Sequence, residues 1–293
     1  MKYKSLTAIF VASGILMSAC SSDEATTKTA DTTEAPATEQ ADTTSGANTL
    51  QPELDAYKSF ASEQMDSFLI ETEKFVNAFK AGNIEEAKAI YPLARMYFER
   101  SEPIAESFGD LDPRIDGRLA DIQEEGKGEE EWTGYHKLEY ALWVENTTEG
   151  YDAIADQLLA DVKELYALVQ TVEVSPELMI TGAVDLLNEV STSKITGEEE
   201  IYSHTDLYDF KANIEGAEKI FEILRNKIEA KDPTLATTLD EKFAAVNDLL
   251  AKYESTDGNY ASYEELTEEN TKELSTAVNQ LGEPLSQMGI ILE

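Results

Sequence analysis

Apolar residues recur at intervals of three and four along most of this chain, as in Leu54-Tyr57-Phe60, Phe68-Phe75-Phe79, Ile154-Leu158-Leu165-Leu168 and Phe221-Leu224-Ile228. That period lines up one face of an α-helix, whereas the strict alternation of a half-buried strand is nearly absent. Helix-stopping residues punctuate the pattern at Ala81-Gly82-Asn83, Gly109-Asp110, Glu125-Gly126-Lys127-Gly128, Ser175-Pro176, Thr196-Gly197, Lys231-Asp232-Pro233 and Asp257-Gly258-Asn259. Residues 53–293 therefore read as an all-α, multi-helix bundle forming one functional unit, long enough for a sizeable core.

The first residues follow a different pattern. A basic start (Lys2, Lys4), an apolar run from Leu6 to Met17 and small residues Ser18-Ala19 precede the chain's single cysteine, Cys20. The run is too short to span a bilayer and reads as a cleavable export signal over residues 1–19. The position of Cys20 is similar to that of the lipid-modified cysteine of bacterial lipoproteins, with Met17 where such signals usually carry leucine. A lipidated chain hangs from the membrane by acyl groups and lies on its extracytoplasmic side, periplasmic or cell-surface. The alternative is an ordinary secretory peptide that happens to contain a cysteine. Residues 20–52 combine Cys20 with an acidic, Ser/Thr-rich linker whose low apolar content predicts disorder.

Charge narrows the partners. The chain carries 23 Lys and Arg against 59 Asp and Glu, a formal net charge of −36. A field of that sign repels nucleic acid and concentrates cations. No phosphate-cradling G-x-x-x-x-G-K motif occurs, so nucleotide chemistry has no foothold.

The candidate chemistry centres on Trp132-Thr-Gly-Tyr-His136-Lys-Leu-Glu139-Tyr-Ala-Leu-Trp143, which places one of only two histidines three residues before a glutamate. On a helix the two side chains share a face and can converge on one cation. Spacing alone leaves open a chelating pair or an incidental one. Upstream, Glu99, Glu102 and Glu106 fall near one helical face, where like charges repel unless a cation is shared; Arg95 can pair with Glu99, and Pro103 should kink the helix. Asp112, before Pro113, reads as a helix N-cap, while Asp116 has no capping duty and is free to face a ligand. His204, in Lys194-Ile-Thr-Gly197-Glu198-Glu199-Glu200-Ile-Tyr202-Ser-His204-Thr-Asp206, is a ligand or, preferentially, a hydrogen-bonded structural histidine.

The lipoprotein start, Ile104-Ala-Glu-Ser-Phe-Gly-Asp-Leu-Asp-Pro113, Thr133-Gly-Tyr-His136-Lys-Leu-Glu139 and Lys194-Ile-Thr-Gly-Glu-Glu-Glu-Ile-Tyr-Ser-His-Thr-Asp206 together resemble the imelysin-like EfeO/EfeM family of bacterial iron-uptake proteins. The likeness spans nearly the whole folded region, and H-x-x-E is that family's hallmark. It implies two bundle-like helical halves with a metal site in the cleft between them. It also implies capture of iron, ferric or ferrous, for an Efe-type iron permease system that includes a haem peroxidase-like partner. The ligands it implies are His136 and Glu139, joined by Glu99, Glu102 and Asp116, with Glu198 as an extra. Longer members carry an N-terminal cupredoxin domain; only the linker precedes the helices here, as in the short, EfeM-type form.

Several carboxylates with one imidazole make a hard, oxygen-rich set that suits iron, although zinc or copper(II) would compete in vitro by affinity order. The rival readings are a zinc metallopeptidase, a ferritin-like di-iron oxidase and a surface module that binds no metal. H-E-x-x-H is absent, and Thr133 and Ile201 stand where an E-x-x-H pair would need glutamate. The sequence therefore favours metal capture without catalysis.

Overall fold

The computed structural model describes residues 50–292. Helix α1 (Gln51–Lys80) opens with Pro52 in its first turn, where a missing N–H costs no hydrogen bond. It thus begins two residues before the expected boundary at 53. The signal, Cys20 and the linker up to residue 49 lie outside the described residues. Ten further α-helices follow among the described residues: α2 (Ile84–Glu99), α3 (Glu102–Ala105), α4 (Leu111–Asp116), α5 (Leu119–Glu124), α6 (Gly134–Trp143), α7 (Asp152–Thr171), α8 (Pro176–Thr192), α9 (Asp206–Lys231), α10 (Pro233–Leu250) and α11 (Glu268–Leu292). An isolated bridge between Glu254 and Tyr260 is the sole β pairing among them. The seven sequence breaks all fall at or between helix ends, and at two of them side chains cap the next helix. Ser175 accepts from the Leu178 N–H, and Asp232 accepts from those of Thr234 and Leu235.

Helices α2 and α7 both pack on α1, α8 to α11 form a second set, and α2 lies along α9 to join them. These are the two bundle-like halves. The predicted periodic residues fill the core: Leu54, Tyr57, Phe68, Phe75, Phe79, Leu158, Leu165, Phe221, Leu224 and Ile228 are all buried. Near the junction the core is aromatic. Phe75 stacks on Tyr135 at 5.3 Å and meets Tyr91 at 5.8 Å, while the Tyr135 and Thr72 hydroxyls share a hydrogen bond of 2.7 Å.

Two local departures shape the junction. The run from Tyr91 to Glu106 is broken rather than kinked: α2 stops at Glu99 and α3 restarts at Glu102, with Pro103 in its first turn. Pro103 has no N–H to give the Glu99 carbonyl and its ring would crowd that turn, so the first helix ends there, while proline is well suited to the first turn of the next. Gly216 of α9 lies beneath the break, where a Cβ would stand 2.5 Å from the Arg100 carbonyl oxygen. The second departure is the entry of the chain into α6. The Trp132 indole donates to the Gly117 carbonyl at 2.8 Å, and the Thr133 hydroxyl donates to the Arg114 carbonyl at 3.0 Å. Gly134 follows with φ +84, and a Cβ there would lie 2.3 Å from the Ile115 carbonyl oxygen. Three consecutive residues thus clamp α6 to the end of α4, which brings His136 to Asp116.

Gly134→Ala combines left-handed strain with a backbone clash and should cost about 2 kcal/mol or more in urea unfolding; a change below about 0.5 kcal/mol would contradict the clamp.

Candidate metal site

Buried charge is concentrated at the junction of the two halves. Glu99, Glu102, Glu139, Glu199, Glu200, Asp206 and Asp209 are all buried there, with Arg95 and Lys194 as the buried cations and His136 only 2 % exposed. Helix α2 supplies Arg95 and Glu99, α4 supplies Asp116, α6 supplies His136 and Glu139, and the loop before α9 supplies Glu199 and Glu200. The cleft implied by the sequence is closed and polar.

Glu139 organises the loop. Its Oε1 accepts the backbone N–H groups of Tyr202 and Ser203 at 3.0 and 2.7 Å, fastening residues 202–203 to α6. The turn is reinforced by the His204 N–H donating to the Glu200 carbonyl at 2.8 Å and the Glu200 N–H donating to Asp206 Oδ1 at 3.1 Å. The Ser203 hydroxyl also donates to Glu200 Oε2 at 2.8 Å. A left-handed Gly197 starts the turn, after which Glu198 points to solvent while Glu199 and Glu200 turn inward.

The two imidazole nitrogens of His136 have different surroundings. Nδ1 lies 3.1 Å from Glu139 Oε2, a hydrogen bond, with Glu200 Oε1 at 3.9 Å. Nε2 is buried and has no hydrogen-bond partner; Asp116 Oδ1 stands 3.8 Å away and Glu199 Oε1 3.9 Å away. These separations are too long for hydrogen bonds. They suit two ligands on either side of one ion, since bonds of about 2.1 Å place such atoms between about 3 and 4.2 Å apart. Two sets of donors close enough to share an ion therefore meet at this ring: Asp116-His136-Glu199 and His136-Glu139-Glu200. With Glu139 accepting from Nδ1–H, the lone pair is left on Nε2, toward Asp116 and Glu199.

Resident cations divide the remaining acids. Arg95 bonds to Asp116, reaches Glu99 Oε1 at 2.8 Å and sets its Nε 2.7 Å from Glu200 Oε1. Lys194 Nζ lies 3.1 Å from Glu99 Oε2, 3.8 Å from Glu199 and 4.0 Å from Glu102. The Asn213 amide donates to Glu99 Oε2 at 3.0 Å and Glu102 Oε2 at 3.2 Å.

The structure thus brings Asp116, His136 and Glu139 together. It places Glu99 and Glu102 in the adjoining ion-pair network and leaves Glu198 exposed, because the turn after Gly197 directs the next two glutamates inward instead. Glu106 is exposed in a 3-10 turn beyond the break. Asp112 is not an N-cap: Asp110 precedes α4, and Asp112 lies inside its first turn with an unpartnered Oδ1. His204 adopts φ +58, is about one-third exposed and stands 3.7 Å from Glu264, outside both donor sets. Sequence reasoning missed Glu199 and Glu200 as the inward pair, Arg95 as their shared partner, and Asp209 and Asn213. A polar stripe Asp206-Asp209-Asn213 at helical spacing, set among Leu207, Phe210 and Ile214, was the available signal.

Burial dominates the proton affinities. It lowers His136 to about 4, with Arg95 adding to the effect, so the imidazole is neutral at physiological pH. It raises Glu139 to about 7 and Glu200 to about 7, the latter also pushed up by the Glu139 charge, and Asp206 to about 7. Burial would raise Glu199 too, but Lys194, His136, Arg118 and Arg95 together hold it down at about 2. A cation arriving here meets an ionised Glu199 and a neutral ring, beside carboxyls whose proton affinity burial has raised.

The imelysin family model, which carries the label of a peptidase family, matches residues 53–288. An Efem/EfeO family lipoprotein of Staphylococcus haemolyticus is 50 % identical over 291 residues, covering 99 % of this chain and 100 % of that protein. One from Staphylococcus aureus is 54 % identical over 239 residues, 81 % of this chain and 84 % of its own length. A solved structure from Parabacteroides distasonis, assigned as an iron-regulated protein A precursor, superposes with a TM-score of 0.64 at 17 % identity, covering 88 % of this chain and 98 % of that one, which speaks to the fold. The chain belongs to the imelysin family and, within it, to the Efem/EfeO family of lipoproteins.

Proposed function

We propose that this protein is an extracytoplasmic, lipid-anchored lipoprotein that captures iron at His136 and delivers it to a membrane iron permease of the Efe type, alongside a haem peroxidase-like partner. The observation that carries the capture step is the buried, unpartnered Nε2 of His136, facing oxygens of Asp116 and Glu199 at 3.8 and 3.9 Å. One imidazole with carboxylates is a hard donor set suited to iron, and zinc or copper would compete for it in vitro. Glu139 serves as the orienting partner of the ring, and Glu200 lies behind it. Delivery to a permease rests on family kinship. So does anchoring through Cys20, to which the name lipoprotein of the relatives adds support; no helix among the described residues is long and apolar enough to cross a membrane.

Catalysis is not part of this reading, despite the family label. Peptidase zinc sites of the H-E-x-x-H kind use two histidines, and His204 lies outside both donor sets. Metal-loaded protein should leave an unstructured polypeptide intact over hours, and specific cleavage abolished by His136→Ala would overturn the non-enzymatic assignment.

Adjacent glutamates supply the sharpest test. By anaerobic titration with ferrous iron, Glu199→Ala should weaken binding at least about tenfold, as should Asp116→Ala, while Glu198→Ala leaves it unchanged. Equal effects at 198 and 199 would rule out the Nε2 donor set.

The pH profile gives a further expectation. With His136 lowered to about 4 and Glu199 to about 2, both ligands stay deprotonated well below neutrality, so affinity should hold from pH 7 to about 5 and fall as the ring protonates below that. Loss of binding centred near pH 7 would instead mark Glu139 and Glu200, both raised to about 7, as the ligands.

A further inference from the structure

Arg95 has two groups of partners. One group overlaps the donors that face His136: it bonds to Asp116, approaches Glu199 Oε1 at 4.0 Å and contacts Glu200 Oε1 at 2.7 Å. The other lies away from the ring: Glu99 at 2.8 Å, Asp209 at 3.5 Å, and the faces of Tyr91 and Tyr135 at 5.8 and 5.9 Å. Neither Asp209 oxygen has a hydrogen-bond partner, so this carboxylate has unused capacity for the guanidinium.

A guanidinium cannot lose its charge at accessible pH, so it cannot make way for a metal by releasing a proton. It competes for the same oxygens. Asp116 Oδ1 is bonded to Arg95 Nη1 and also faces Nε2 at 3.8 Å, so an ion bound between ring and carboxylate sits close to a fixed positive charge. In a buried site that repulsion is poorly screened.

Resting on the iron-capture reading, we propose that Arg95 is a displaceable counter-cation of this site: it yields Asp116 and Glu199 to the incoming metal, retains Glu99, Asp209 and the two tyrosine rings, and retakes Asp116 as the metal leaves. The arrangement limits affinity and speeds release, which suits a protein that passes its cargo on. Arg95 acts here as a positioning residue and touches no metal.

The test uses ferrous iron under anaerobic conditions. Equilibrium affinity and the rate of release to a chromogenic chelator are compared for wild type, His136→Ala, Arg95→Gln and Arg95→Lys. Arg95→Gln should bind at least about tenfold more tightly and release iron correspondingly more slowly, and Arg95→Lys should fall between it and wild type. Damage to a merely structural arginine would weaken binding, so the direction of the change discriminates. If wild type binds and His136→Ala does not, yet Arg95→Gln is equal to or weaker than wild type, this inference falls while the capture reading stands. If wild type binds no iron, both fall. Should circular dichroism show that Arg95→Gln does not fold, Arg95→Lys decides alone: tighter binding with slower release supports the proposal, and unchanged or weaker binding overturns it.

Discussion

The carboxylate of Glu139 is the constraint on which the site depends. One oxygen accepts two backbone N–H groups from the loop before α9, and the other shares a hydrogen bond with His136 Nδ1. A single side chain therefore fixes the ring's orientation and fastens the segment that carries Glu199 and Glu200 to the opposite half of the molecule. The H-x-x-E spacing is explained by this geometry: three residues apart on α6, the two side chains meet edge to edge, and the glutamate still has an oxygen to spare for the loop. Read this way, the motif is a hinge between ring and loop before it is a chelating pair.

So much buried acid is expensive. Removing carboxylates from water is unfavourable unless cations, hydrogen bonds or protons compensate each one. Here the compensation is divided among Arg95, Lys194, Asn213 and retained protons. Arg95 rests on the aromatic wall formed by Tyr91 and Tyr135, so the apolar core that holds α1, α2 and α6 together also seats the charge that balances the site. The result is a packed hydrophobic pair of halves with a buried, charge-balanced polar seam between them.

Helical class, the breaks between helices and much of the core were legible because they follow from local periodicity and from glycine and proline chemistry. Within the site, Asp116, His136 and Glu139 were legible too: the first lacked a capping duty and the other two had the spacing of a shared face. The choice of Glu199 over Glu198 was not, because it depends on how the turn after Gly197 curls once Glu139 grips residues 202 and 203, an interaction between positions more than sixty residues apart. The role of Arg95 was half visible. Its pairing with Glu99 follows from i,i+4 spacing, whereas its hydrogen bond to Asp116 and its ion pair with Glu200 exist only after α2, α4 and the loop converge.

The central claim is that Glu139 holds His136 with its proton on Nδ1 and its lone pair on Nε2, aimed at Asp116 and Glu199. Nitrogen NMR of histidine-labelled protein reads this directly, with His204→Ala assigning the two rings and gallium standing in for ferric iron as a diamagnetic probe. The account predicts a neutral His136 ring protonated at Nδ1 and a shift at Nε2 when the ion is added. A ring protonated at Nε2, or an ion that perturbs Nδ1 and leaves Nε2 unchanged, would contradict it.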